Sequence, residues 1–203
     1  MNQQFKNRKP GIIGEGQFQH FGILVSLVKE KNHWHFLFEK RASHLDTQPG
    51  EVCFPGGRVE KGETPEDASI RETCEELLLM PNQITLLGPS DRFVSPFNLI
   101  LHPFIAKINH YDGSYNTDEV AKTFTVPLDY FRKNRPQNFN ITLKHVIDDN
   151  FPVQWIPRGK DYPWRNGRYK VGFYPHQEEI IWGLTARIVQ NAIKLIDDFK
   201  LLI

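Results

Sequence analysis

Cysteine is scarce in this chain, and so is any excess of charge of one sign. Two cysteines among 203 residues, Cys53 and Cys74, exclude a disulfide-rich secreted scaffold and favour a reducing compartment. Lysine and arginine total 25 and aspartate and glutamate 24, which leaves a formal net charge of +1. A general binder of polyanions normally shows a clear basic excess, so we expect no nucleic-acid partner.

Long apolar runs are also missing. The longest, residues 22–28, is far shorter than the ~20 residues that cross a bilayer. The first ten residues lack the apolar segment of a secretory signal, and the last three match neither a peroxisomal nor an endoplasmic reticulum signal. These features predict a cytoplasmic protein with no membrane partner.

The length and the pattern of apolar residues predict one mixed domain, residues 1–203, because domains typically hold roughly 100–200 residues. Two runs typical of strands, residues 22–28 and 33–38, predict a hairpin around a polar turn at residues 29–32. Strands interleaved with few helices indicate an α/β or α+β fold. The expected strands are residues 22–28, 33–38, 52–54, 84–87, 99–108 and 122–126, and a short helix is expected at 127–131.

Two longer helices are also predicted. The first begins after Thr64, which can cap it, with Pro65 at the first helical position and Asp67 completing a capping box. The second is expected over residues 179–199, which carry apolar side chains at helical spacing. The predicted apolar face of the first helix consists of Ile70, Cys74, Leu77 and Leu78.

Three carboxylates project from one side of the first predicted helix. Glu72, Glu75 and Glu76 lie at positions i, i+3 and i+4, where like charges destabilise a helix by roughly 0.2–0.5 kcal/mol per pair. A divalent cation would turn this repulsion into coordination, and oxygen ligands suit Mg²⁺ or Mn²⁺ better than zinc. The alternative is an acidic face that is simply solvated.

A glycine-rich segment lies between the strand at 52–54 and this helix, and we expect it to be a loop. Gly56 and Gly57 allow the backbone to approach a ligand closely, so the Gly56 carbonyl is a candidate metal ligand. Arg71 can reach Glu75 four residues later and can pair with Glu63 across the loop. Such a cation would hold the carboxylates in orientation.

This pattern resembles the Nudix box. The family's motif is a glycine, five residues, a glutamate, seven residues, Arg-Glu, an apolar residue, any residue, Glu-Glu, any residue, a glycine and an apolar residue. Two positions depart from it: Thr73 replaces an apolar residue, and Leu78 replaces the closing glycine, so we expect Pro81 and Asn82 to end the helix. The matching positions are Gly57, Glu63, Arg71, Glu72, Glu75 and Glu76.

The resemblance implies a Nudix-type α/β/α sandwich, with a mixed central sheet between the box helix and the C-terminal helix. It also implies metal-dependent hydrolysis of a nucleoside diphosphate linked to another group. Arg71 and Glu63 would orient the ligands, and which glutamate serves as the base stays open. The implied ligands of Mg²⁺ or Mn²⁺ are Glu72, Glu75, Glu76 and the Gly56 carbonyl.

Further acidic candidates lie outside the box. Glu119, within residues 116–120, resembles an acid that many family members place over the site; the alternative is a solvated loop residue. Glu178 and Glu179 are weaker candidates of the same kind.

The segment before the box resembles the coenzyme A pyrophosphatase branch of the family. Residues 37–45 lead into Gly-Glu-Val-Cys-Phe-Pro-Gly-Gly at 50–57, and residues 102–106 and 181–186 are further partial matches. The resemblance covers residues 22 to about 195 and leaves residues 1–20 as an N-terminal extension.

Coenzyme A carries a 3′-phosphate, which calls for a cation near the box. Arg41 is the preferred contact because a guanidinium binds phosphate through two hydrogen bonds; the alternative is a surface charge that ends a strand. Asp46 and Gln48 stand where the branch often has a basic residue and a histidine, which weakens the substrate assignment more than the family assignment. The other candidate substrate-binding residues are Lys40, Arg58 and Gly57.

We therefore expect a pyrophosphatase that cleaves coenzyme A or its thioesters to 3′,5′-ADP and 4′-phosphopantetheine or its acyl derivative. One alternative is a Nudix pyrophosphatase for ADP-ribose or another nucleoside diphosphate derivative. A second is a Nudix domain that senses a nucleotide without catalysis, which the complete set of box carboxylates disfavours. The sequence predicts no oligomeric state.

Overall fold

A computed structural model describes residues 6–8 and 10–202. Residues 1–5 and Lys9 of the expected N-terminal extension, and Ile203, lie outside the described residues. Within the described part, no helix is long and apolar enough to cross a membrane. The elements are β1 (Gln19–Glu30), β2 (His33–Arg41), β3 (Val52–Cys53), β4 (Gly56–Arg58), α1 (Pro65–Glu76), β5 (Ile84–Pro89), β6 (Phe93–Val94), β7 (Leu99–Ile108), β8 (Val120–Pro127), α2 (Leu128–Lys133), β9 (Gln137–Leu143), β10 (Gly167–His176), β11 (Glu179–Trp182) and α3 (Gly183–Asp198).

A mixed sheet forms the centre of the fold. Its main strand order is β3-β2-β1-β7-β5, with β8 also paired to β2, β4 to β1 and β6 to β7. β1 and β7 run parallel, whereas the other pairs are antiparallel. The mixed sheet expected from the sequence is confirmed. A second, antiparallel sheet of β9, β10 and β11 was not predicted.

Side chains that alternate along the central strands divide the core into two layers. Val25 of β1 packs in a cluster with Val189 of α3, whereas the adjacent Leu24 packs with Leu77 beside α1. Because successive strand residues point to opposite faces, α1 and α3 cover opposite faces of the sheet. The predicted α/β/α sandwich is therefore confirmed.

The predicted hairpin is present, with a tighter turn than expected. Glu30 pairs with His33, and only Lys31 and Asn32 lie between the strands. Both turn residues have positive φ angles, 44° and 69°. This conformation is typical of a two-residue type I′ turn, whose twist matches that of the flanking strands.

The box helix is fixed at its start by a cap and by a close approach to the sheet. The Thr64 hydroxyl accepts a hydrogen bond from the Asp67 amide at 3.1 Å, and the Asp67 carboxylate accepts one from the Thr64 amide, so the predicted capping box is confirmed. A Cβ added to Gly22 of β1 would lie 2.1 Å from the Pro65 carbonyl oxygen. Only glycine at that position lets α1 rest directly on the backbone of β1.

The end of α1 differs from the prediction. The helix ends at Glu76, and Leu78, with a φ of 51°, adopts the left-handed conformation that the closing glycine of the motif would provide. The Leu79 amide donates to the Cys74 carbonyl at 3.1 Å, as in a Schellman ending. The expectations that Pro81 and Asn82 end the helix and that Leu78 belongs to its apolar face are wrong. The Leu78 side chain is 59% exposed.

Two further expectations need correction. Residues 56–58, expected to be a loop, form β4 and pair with β1. The helix expected at 179–199 begins only at Gly183, because Glu179–Trp182 is strand β11, paired with β10. The β-branched Ile180 and Ile181 favour a strand, and Gly183, with a φ of 63°, lets the chain turn into α3.

We predict that Leu78→Gly stabilises the protein by about 0.5–1 kcal/mol, because glycine adopts the left-handed conformation without the ~1–2 kcal/mol penalty of a Cβ and the leucine buries little surface. Urea denaturation measures the change. Leu77→Gly, at the fully buried neighbouring position, is the matched control and should destabilise the fold. A loss of stability in Leu78→Gly would mean that its side chain contributes more than its conformation costs.

Candidate functional site

Arg71 connects the acidic side chains of α1 to the segment that precedes it. Its Nε and Nη2 donate to the two carboxylate oxygens of Glu63 at 2.9 and 3.1 Å, so the ion pair expected from the sequence is present. Nη1 donates to Glu72 at 2.8 Å and reaches Glu75 at 3.4 Å, and Nη2 also donates to the Arg58 carbonyl. Hydrogen bonding to Glu63 raises the pKa of Arg71, and the same contact lowers the pKa of Glu63. One guanidinium therefore holds three carboxylates.

Glu72 lies against the backbone of Gly57. A Cβ added at Gly57 would come within 2.2 Å of the Glu72 carboxylate carbon. Burial raises the pKa of Glu72, the hydrogen bond from Arg71 opposes this shift, and the charges of Glu75 and Glu119 add to it. The glycine thus makes room for a carboxylate that is only half-solvated.

Glu76 is the buried member of the set, with 2% of its surface exposed. The Gly56 amide donates to its Oε2 at 2.9 Å. Burial and then the charge of Glu39 raise the pKa of Glu76 to about 9, against the hydrogen bond from Gly56. The structure thus brings Gly56 to the carboxylates through its N–H; coordination by its carbonyl stays a prediction.

Glu39 belongs to the same acidic group, although sequence reasoning missed it. It lies on β2, is 1% exposed, and accepts a hydrogen bond from the Cys53 thiol at 3.3 Å. Burial raises its pKa to about 7, with Glu119 and Glu72 adding to the shift and Cys53 and Arg41 opposing it. No local signal marks it, because Glu39 directly precedes Lys40 and Arg41 and so resembles the polar end of a strand.

The loop before β8 brings Glu119 to this group. The Asn116 amide donates to the Glu76 carbonyl at 2.8 Å, which fixes the loop to the end of α1. The Glu119 carbonyl accepts from the Ala42 amide at 2.8 Å, and its carboxylate lies near enough to raise the pKa of Glu72 and Glu76. By contrast, the Glu75 carboxylate is largely exposed, at the edge of the group.

Comparison with protein families matches residues 19–148 to the NUDIX domain. The chain belongs to the Nudix family of hydrolases. The match includes every residue of the site described above and ends before β10, β11 and α3.

Named Nudix relatives cover different shares of the chain. It is 34% identical to the peroxisomal coenzyme A diphosphatase NUDT7 of Mus musculus over 55% of this chain and 48% of that protein, so the match spans about half of the mouse protein. It is 27% identical to Nudix hydrolase 3 of Caenorhabditis elegans over 94% of this chain and 79% of that protein. It is 30% identical to an uncharacterized Nudix hydrolase NudL of an Enterobacter species, over 83% of this chain and 78% of that protein.

Lys40, a candidate substrate contact, forms an ion pair with Glu179 on the face of the sheet opposite the Nudix box. Its ammonium donates to both carboxylate oxygens of Glu179, at 3.1 and 3.0 Å, and Lys122 also pairs with Glu179 at 2.7 Å. Burial alone would raise the pKa of Glu179, but the hydrogen bonds from the two lysines lower it. The structure brings neither Lys40 nor Glu179 to the box carboxylates, and Glu178 is exposed.

Arg41 and Arg58 remain closer to the box. The Arg41 Nε donates to the Thr47 carbonyl at 3.2 Å, and its charge lowers the pKa of Glu39. Arg58 ends β4, is exposed, and follows the Gly57 on which Glu72 lies. Arg41 is therefore held beside the acidic group.

The donor set of the Nudix box fits a hard divalent cation. Among the described residues, no three His, Cys, Asp or Glu side chains already converge as a metal-ligand set. Glu72 is held by Arg71 and Glu76 by the Gly56 amide. Yet Glu39 Oε2 is buried with no described partner, and Glu76 is a buried carboxylate that no described lysine or arginine pairs with. Clustered carboxylate oxygens suit Mg²⁺ or Mn²⁺.

We predict that the metal-free protein loses stability as the pH rises. The pKa values of Glu39 and Glu76, about 7 and about 9, exceed the ordinary value of 4.5, so the folded chain keeps protons that the unfolded chain releases. The free energy of unfolding should therefore fall from about pH 4.5 through about pH 7 and on to about pH 9. Thermal unfolding in the presence of a chelator measures this fall.

Adding Mn²⁺ should remove most of this fall, because the cation stabilises the ionised carboxylates. Glu76→Gln should flatten the upper part of the metal-free profile, since its group no longer titrates. A metal-free wild-type protein that gains stability from about pH 5 to about pH 9 would contradict the prediction.

Proposed function

We propose that this chain is a pyrophosphatase that depends on Mg²⁺ or Mn²⁺ and hydrolyses the diphosphate of coenzyme A or its thioesters. Water adds across the P–O–P bridge and gives 3′,5′-ADP and 4′-phosphopantetheine or its acyl derivative. The observation that carries the proposal is the group of partly buried carboxylates around Arg71, on a helix that matches the Nudix box. The name of the mouse relative supports the choice of coenzyme A.

The residues of α1 would hold the cation. Glu72, Glu75 and Glu76 are the proposed ligands, together with the Gly56 carbonyl. When bound, a divalent cation neutralises the diphosphate and lowers the pKa of a water molecule. The position of the carboxylates at the end of α1 supports this role, because the negative end of a helix disfavours acidic side chains and no basic residue occupies the last turn.

Arg71 and Glu63 act on the ligands rather than on the substrate. The two-pronged contact with Glu63 fixes the guanidinium plane, and the third nitrogen then fixes Glu72. Carboxylates that are oriented before the substrate arrives need no reorganisation during the reaction. Glu119, on the loop fixed to the end of α1, faces the same group and is a candidate acceptor for the proton of the attacking water.

Arg41 is the proposed contact for the 3′-phosphate. Its Nε is occupied by the Thr47 carbonyl, whereas its two terminal nitrogens make no hydrogen bond to any residue that the structure describes. A guanidinium with its terminal nitrogens free can donate two parallel hydrogen bonds to a phosphate. The pairing of Lys40 with Glu179 favours Arg41 over its neighbour.

Product analysis tests the reaction. With Mg²⁺, the wild-type protein should convert coenzyme A to 3′,5′-ADP, and should act on it faster than on ADP-ribose. Glu76→Gln should abolish turnover while the fold survives, because the amide oxygen still accepts from Gly56. Glu66→Gln, an exposed position in the first turn of α1, is the control and should remain active.

The other outcomes discriminate the alternatives. Faster cleavage of ADP-ribose would support the proposed metal site of the Nudix box but would reject coenzyme A as the preferred substrate. Absence of cleavage with either Mg²⁺ or Mn²⁺ would favour a nucleotide sensor. Full activity in Glu76→Gln would remove Glu76 from the ligand set.

We predict that Arg41→Ala lowers kcat/KM for coenzyme A by about 10- to 100-fold more than for dephospho-coenzyme A, because a hydrogen bond to a charged group contributes ~1.5–3 kcal/mol. Steady-state kinetics on the two substrates measure the difference. Dephospho-coenzyme A is the internal control for the loss of the Thr47 contact. Equal losses of kcat/KM on both substrates would reject the contact with the 3′-phosphate and leave Arg41 with only its structural contact to Thr47.

A further inference from the structure

Glu39 is a buried carboxylate that the box motif does not include. It is 1% exposed, and its Oε2 has no hydrogen-bond partner among the described residues. Its Oε1 accepts from the thiol of Cys53, its cross-strand neighbour on β3, and Thr123 of β8 lies opposite on the other side. An unpaired polar atom in such surroundings costs free energy, so its persistence calls for a partner that the protein chain does not provide.

Strand alternation directs Glu39 toward the box helix. Phe38 packs in the cluster that contains α3, whereas Leu37 packs with Leu77 on the α1 side. Glu39 shares the face of Leu37, because residues two apart on a strand point the same way. This places its carboxylate under α1, beside Glu76, on which it exerts the largest charge effect of any group.

The described side chains do not neutralise this pair of acids. Within the described chain, no lysine, arginine or histidine lies at ion-pair distance from Glu39 or Glu76. The guanidinium of Arg71 is already taken up by Glu63, Glu72 and Glu75. A single proton shared between the two carboxylates would relieve the repulsion only while one of them stays protonated. A divalent cation accepts oxygen ligands from both carboxylates at once.

We propose that Glu39 is an additional ligand of the divalent cation, supplied by β2 rather than by the box helix. This inference rests on the metal site of the proposed function. Coordination from the sheet as well as from α1 joins two elements that otherwise meet through apolar packing and backbone contacts. The Oε2 atom that lacks a partner is the atom assigned to the cation.

Direct measurement of Mn²⁺ binding tests the proposal without reliance on turnover. The wild-type protein and Glu39→Gln are titrated with Mn²⁺, free ion is followed by electron paramagnetic resonance, and the metal-induced shift of the unfolding midpoint is recorded. Glu39→Gln should bind Mn²⁺ about tenfold or more weakly and show a smaller shift. Its metal-free form should be at least as stable as wild type, since a buried unpaired charge is removed.

Glu179→Gln is the matched control. Glu179 is also a buried glutamate, but Lys40 and Lys122 already neutralise it. This variant should lose metal-free stability and keep the wild-type affinity for Mn²⁺. A loss of metal-free stability in Glu179→Gln, without such a loss in Glu39→Gln, distinguishes a buried carboxylate that is paired with two lysines from one that has no cationic partner among the described residues.

Two results of the Mn²⁺ titrations would overturn the proposed role of Glu39. Equal Mn²⁺ affinity in wild type and Glu39→Gln overturns the role of Glu39 and leaves the metal site of α1 standing. Absence of Mn²⁺ binding by wild type overturns both proposals. If Glu39→Gln fails to fold, Glu39→Asp replaces it: the carboxylate withdrawn by one methylene should weaken Mn²⁺ binding, and unchanged affinity overturns the assignment.

Discussion

A local excess of negative charge is the constraint on which the site depends. Burial is the main cause of the raised pKa values of Glu72 and Glu76, and neighbouring carboxylates add to both shifts: Glu75 and Glu119 at Glu72, and Glu39, Glu72 and Glu119 at Glu76. In a low-dielectric setting such repulsion is far stronger than on a solvated surface. Arg71 offsets part of it, but its contacts reach only the outer side of the group. The fold must therefore hold these carboxylates together by means other than charge pairing.

Backbone contacts supply most of that restraint. The capping box fixes the first turn of α1, and Gly22 lets the helix rest on β1. Gly57 leaves space for the Glu72 carboxylate, which any larger side chain would fill. At the other end, the Asn116 amide holds the last turn through the Glu76 carbonyl. Apart from the capping box, which uses the Asp67 carboxylate, these contacts involve no titratable donor or acceptor, so they do not depend on which carboxylates of the site are charged.

The parts of this arrangement that local patterns encode were predictable from the sequence. Helical spacing, the cap and the box motif predicted α1 and the contact between Arg71 and Glu63, because all lie within one helix and its approach. Glu39 was not predictable in this way, because its role depends on which strand face meets α1. The second sheet escaped notice since β9 is almost wholly exposed and therefore lacks the dense apolar pattern of a core strand. Leu78 shows the converse: the motif expects glycine there, and the backbone takes the left-handed conformation with a leucine in place.

Metal coordination would change the contribution of the acidic group to the stability of the fold from destabilising to stabilising. Without a cation, carboxylates from α1, β2 and the loop before β8 repel one another and weaken the contact between three separate elements. A ligand that binds only the folded state adds about 2.7 kcal/mol at a concentration one hundred times its dissociation constant. That gain is comparable to a typical disulfide, and the two cysteines here are free. The proposed site would then be both the catalytic centre and a link that joins the box helix to the sheet.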